Sequence, residues 1–71
     1  MPYSENPTMQ AALQNFEMIK QTAIQAAAGN AASIRAAEIS YFRSARASAI
    51  ANACGMTQFT DALHELGTGG T

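Results

Sequence analysis

Residues 31–54, AASIRAAEISYFRSARASAIANAC, decide the fold. The stretch holds no Gly or Pro, and its commonest residue is Ala, the strongest helix former, so it reads as one long helix. Wound at about 100° per residue, it separates two surfaces. Ser33, Ala36, Ala37, Ser40, Ser44, Ala47, Ser48 and Ala51 fall within roughly one third of the circumference. Ile34, Arg35, Glu38, Ile39, Tyr41, Phe42, Arg43, Arg46 and Ile50 fall outside that arc. Side chains as small as Ala and Ser leave no steric barrier, so dispersion contacts with a neighbour can reach the backbone. The row Ala32, Ala36, Ser40, Ser44, Ser48 is a groove that a ridge of side chains can enter. This face is expected to meet another helix: the preceding one, with Phe16 and Ile19 as knobs, or one from another chain. The competing expectation is plain exposure, because Ala and Ser cost little on a helical surface.

Upstream, Asn6-Pro7 is a helix start, with Asn as N-cap and Pro at the first helical position. The spacing predicts an amphipathic helix over residues 7–28. Met9, Ala12, Leu13, Phe16, Ile19, Ala23, Ile24 and Ala27 share one side, and Gln10, Gln14, Glu17, Gln21 and Gln25 the other. Residues 1–6 read as irregular. Gly29-Asn30 is the break between the two helices: Gly suits a helix C′ position and Asn caps the next helix. The rival is one long bent helix through residue 54, since an interior Gly costs only about 1 kcal/mol. The paired Gly and Asn signals favour a helical hairpin.

Downstream, Gly55 is expected to close the second helix and Thr57 to cap a short third one over residues 57–66. There Phe59, Ala62, Leu63 and Leu66 form an apolar stripe, with Asp61, His64 and Glu65 facing out. Residues 67–71, GTGGT, read as a tail with nothing to fold against. Strand signals are absent, so the class is all-α: a hairpin plus a short third helix in a single small domain.

Composition bounds what such a chain can do. Of 71 residues, 48% are apolar, but 16 of these are Ala and only 17 are large. A chain this short buries a modest share of its surface, and Ala methyls supply little of it. Chains of this size usually add disulfides, metal or partners. A single Cys excludes an internal disulfide, and there is no Cys/His cluster for zinc. Self-association, or membership of a larger protein assembly, is the expected remedy. A net charge of −1 with 13% charged residues argues against a general nucleic-acid binder. It also makes a lone chain poorly soluble, which again suggests covered surface. The N-terminal MPYSENP lacks the pattern of a Sec signal peptide, and no run approaches the roughly 20 apolar residues of a membrane span. A reducing cytoplasm or a virion particle suits the lone Cys.

Few constellations carry chemistry. Arg35, Arg43 and Arg46 point to one side of the second helix and suit carboxylate or other anionic contacts. The alternative is an ordinary polar surface with Arg35 paired to Glu38 at i+3. Asp61 with His64, or Asp61 with Glu65, supplies two ligands, which do not make a metal site. Cys54 and His64 lack the elbow and oxyanion loop of a nucleophile and base; Cys54 is expected to be buried near Ile50 and Ala53. No catalytic residue, cofactor or metal is expected. The ending ELGTGG is similar to double-glycine leader peptides, which are cut after Gly-Gly during export. Only Thr71 follows it here, and Leu63, Glu65 and Leu66 depart from the spacing of those leaders. Three function classes result: a non-enzymatic structural subunit of a multi-chain assembly, a helical adaptor docking on one larger protein, and an exported or processed peptide. Small Ala-rich helical chains of the first kind occur in virions, phage tail or ejection machinery and secretion-type particles, an analogy of architecture alone.

Overall fold

The computed structural model describes residues 3–68. A 3-10 turn, Tyr3–Glu5, leads into α1 (Pro7–Ala27), α2 (Ala31–Ala51) and α3 (Thr57–Glu65), with no strand among the described residues. Asn6 accepts a hydrogen bond from the Met9 N–H at 3.0 Å, with Pro7 in the first turn of α1. Asn30 does the same for the Ser33 N–H at 2.9 Å and opens α2. Between them Ala28 and Gly29 both take left-handed backbone angles, φ 50° and 85°. That pair of conformers reverses the chain, so the molecule is a hairpin and not one bent helix.

α2 ends three residues earlier than residue 54. Its cap is Asn52, and Ala53 adopts φ 55°. The Ala53 N–H donates to the Ile50 carbonyl at 3.2 Å and the Cys54 N–H to the Ala49 carbonyl at 2.8 Å. This is the Schellman pattern, with Ala53 where Gly is favoured. Gly55 therefore closes nothing. The reversal turns Cys54 back into the core, where it lies with Ala45, Ala49, Phe59 and Met9, while Ile50 and Ala53 stay exposed.

α3 is capped by Met56 and not by Thr57, and no side chain accepts from its first turn. Its other end is built as a second Schellman closure: Gly67 has φ 84°, its N–H donates to His64 O at 2.9 Å, and the Thr68 N–H donates to Leu63 O at 3.1 Å. Thr68 Oγ1 also donates to Leu63 O, at 3.1 Å. Gly67 and Thr68 thus belong to the fold; the rest of the tail lies outside the described residues.

α3 runs back along α2. Arg35, near the start of α2, donates from Nη2 to the Leu66 carbonyl at the end of α3. The three helices meet over Met9, Ala45, Ala49, Cys54 and Phe59, with Leu13 and Phe42 packed alongside. Ala45 and Ala49 are fully buried, and neither belongs to the small arc. Ala37 is buried at the edge of the small arc, whereas Ala45 and Ala49 lie roughly 120–160° round the helix from its centre. Apolar burial scales with area. The inward side of α2 is accordingly the one that also carries Ile34, Tyr41 and Phe42. On α1, Met9, Leu13, Phe16 and Ile24 turn inward, but Ile19 and Ala23 stay at the rim while Lys20 is drawn in. The molecule measures 37 × 24 × 14 Å, a thin slab with two broad surfaces.

Candidate interaction surface

The outward side of α2 is the candidate surface. Ser33, Ala36, Ser40, Ala47 and Ala51 are exposed; Ser44 and Ser48 are half-buried and Ala37 is buried at the edge of the face. The chain itself therefore leaves most of this small-residue surface uncovered. Ile50, on the same outward side, is 59% exposed. Large side chains open to solvent elsewhere are Met18 at 70%, Ile19 at 58% and Met56 at 40%.

Between α1 and α2 the edge of the small face opens into a cleft of about 250 Å³, lined by Phe16, Ile19, Lys20, Ala23, Ala37, Ser40, Tyr41 and Ser44. Phe16 and Ile19 thus do stand opposite Ser40 and Ser44, but as cleft walls and not as knobs seated among them. The cleft exists because neither Ala nor Ser fills the space between the helix axes. Lys20 is part of its lining. Its Nζ lies 2.8 Å from Glu17 Oε2 and 4.8 Å from the centre of the Tyr41 ring. Tyr41 meets Phe42 edge to face, with centroids 5.0 Å apart. The Lys20 hydrogen bond is the main cause that holds the Glu17 carboxyl below its ordinary pKa.

The three arginines part company. Arg35 is engaged with the Leu66 carbonyl, which also accounts for the absence of its expected pair with Glu38; Lys20–Glu17 is the one ion pair among the described residues. Arg46 is half-buried and Arg43 is exposed. Arg35 and Arg43 border a second, open hollow with Ser40, Ser44, Gly67 and Thr68. Sequence reasoning missed the binding of Arg35 to the end of α3, because a contact between residues 35 and 66 has no local signal.

Asp61, His64 and Glu65 are exposed on α3, and Cys54 is buried. Among the described residues no three His, Cys, Asp or Glu side chains cluster as metal ligands, and no helix is long and apolar enough to cross a membrane. No family model, no curated protein and no solved structure matches this chain.

Proposed function

We propose that the chain is a non-enzymatic structural subunit that works in a multi-chain protein assembly. The observation that supports this reading is the outward side of α2: a helical face of Ala32, Ser33, Ala36, Ser40, Ala47 and Ala51, all exposed, with Ile50 standing in it. Another helix can approach such a face to backbone distance. Covering Ile50, Ile19 and Met18 would add the apolar burial that a chain this small lacks. Particles such as virions, phage tails or secretion filaments are the architectural analogue. The test is native mass, by light scattering or native mass spectrometry, across a concentration series. Growth of the mass to a defined multimer supports the reading. A monomer at every concentration, melting cooperatively at a high and constant temperature, overturns it.

A second reading takes the α1/α2 cleft as its support. Phe16, Ile19 and Ala23 on one wall and Ser40 and Ser44 on the other offer space for one or two apolar side chains of a larger partner. The chain would then be an adaptor, present in one copy per partner. The two readings separate by stoichiometry in the isolated complex.

A further inference from the structure

We propose that two copies of this chain pair through the α1/α2 seam, about a two-fold axis that runs along the seam and places Ile19 of each copy in the cleft of the other. The inference rests on the assembly reading above and specifies its contact. Ile19 stands on the rim of the cleft of about 250 Å³ and is 58% exposed. One surface thus carries both an apolar knob and an open hollow. An isologous contact requires this, because its patch must complement itself. Charge points the same way. The cleft shares Ile19 and Ala23 with a hollow beside Met18, and Ala23 and Ala37 with one near the hairpin turn. Among the described residues that line all three, Lys20 is the one charged side chain, and it is already paired with Glu17 at 2.8 Å. Near a two-fold axis each residue faces its own copy, so a charge there meets its like. A seam without free charge escapes that repulsion and offers nothing to an ionic partner.

The seam is also the surface with enough extent. A standard contact takes about 800 Å² from each partner. α1 and α2 have 21 residues each, about 31 Å of helix, whereas α3 has 9, about 13 Å. Two such helices side by side, each about 10 Å across, project about 600 Å² before the relief of their side chains is counted, and α3 alone about 130 Å². Within the hairpin α1 and α2 run in opposite directions, and Ile19 and Ser40 line the same cleft, so they lie at one height. An axis along the seam keeps that height while it carries α1 of one copy over α2 of the other. Ile19 then meets the other copy at Ser40, where the neighbouring Ala36 and Ser44 impose no steric barrier. The four helices form an antiparallel bundle. Ala23, exposed beside Ile19 on the seam, comes to lie next to its own copy.

The experiment uses the full chain and three variants at exposed positions, Ile19→Glu, Ala23→Cys and Gln25→Cys, each checked for native helicity by circular dichroism. Sedimentation velocity of the wild type is expected to give a dimer whose dissociation constant changes by less than about twofold between about 0.05 and 0.5 M NaCl, because no charge pair crosses the seam. Ile19→Glu sets two carboxylates against each other near the axis and is expected to weaken pairing by at least about a hundredfold. Under mild oxidation Ala23→Cys is expected to form a disulfide between copies. Gln25→Cys, on the polar side of α1, and the wild type with its buried Cys54 are expected to stay uncrosslinked. If Ile19→Glu loses its helices, Ile19→Ala replaces it and is expected to weaken pairing about tenfold. A multimer that ignores the Ile19 substitutions and does not crosslink through Ala23 overturns the seam contact and leaves the assembly reading standing, as does association that salt weakens about tenfold. A wild-type chain that is monomeric under all these conditions overturns both.

Discussion

Among the described residues four backbone positions carry left-handed angles, and two of them are alanines. An L-residue there brings Cβ too close to the following carbonyl, at about 1–2 kcal/mol. Glycine removes that strain but gives the unfolded chain more freedom, which offsets part of the gain. Ala53→Gly, and separately Ala28→Gly, are expected to stabilise the fold by about 0.5–1 kcal/mol, read as a rise in melting temperature. The converse holds at Gly67. A Cβ there would lie 3.1 Å from Arg35 Nη2 at a φ of 84°, so Gly67→Ala strains the closure of α3 on both counts. A melting temperature for Ala53→Gly below that of the wild type would show that the Schellman turn is not held as described.

Glu17 makes a titration visible at the same scale. Its folded pKa is lowered, chiefly by the Lys20 hydrogen bond. A depressed carboxyl stabilises the fold above its unfolded pKa and loses that contribution as pH falls through the folded one. Wild type is therefore expected to melt above Glu17→Gln at neutral pH, with the gap closing in acid below the ordinary carboxylate range. A gap that stays constant down to strongly acidic pH would exclude the pair.

At the scale of the element, α2 is one helix with three different sides. Ala45 and Ala49 are fully buried where α1 and α3 converge, while Ala36 is exposed on the outward side. Adding bulk separates the two. Ala49→Leu overpacks the core and is expected to cost about 1–3 kcal/mol in the monomer. Ala36→Leu is expected to change monomer stability by at most about 0.5 kcal/mol, yet to block association if a second helix lies close there. Dilute thermal melts read the first effect and sedimentation reads the second. α3 is the element with the weakest start, for Met56 provides no capping oxygen. Met56→Asp is expected to strengthen α3 by about 0.5–1 kcal/mol.

For the whole molecule, the accessible surface is 4362 Å² for 7.4 kDa, against about 4,200 Å² from the general size scaling. The chain is thus as compact as its size permits, and what sets it apart is the quality of the interior. Of the fully buried side chains among the described residues only Met9 and Leu63 are large. Burial at about 25 cal/mol per Å² therefore leaves a slim margin over chain entropy. The isolated chain is expected to melt at a temperature that rises with concentration, because association adds burial that the monomer lacks. Circular dichroism at low and high micromolar concentration checks this; coincident melts would mean that the monomer alone holds the fold.

Local signals in the chain were enough for the three helices, the hairpin and the Asn6, Pro7 and Asn30 caps, since each depends on residues within a turn or two of one another. The inward stripe of α3, Phe59 and Leu63, was equally legible, as only one side of that short helix is apolar. Which side of α2 is covered was not legible. Its small arc and its mixed arc are both compatible with packing, and the choice fell to the one that half-buries Ile34, Tyr41 and Phe42. The turn at Ala53, the inward Lys20 and the Arg35 contact with Leu66 belong to the same class. Each depends on where a distant segment lies, a left-handed alanine and a half-buried lysine being tolerated only because the surrounding helices over-determine them. Sequence alone determined where the chain winds and where it breaks, through backbone sterics and capping. Tertiary structure alone decided which helical surface stays exposed, because that surface is whatever the competition for apolar area leaves uncovered.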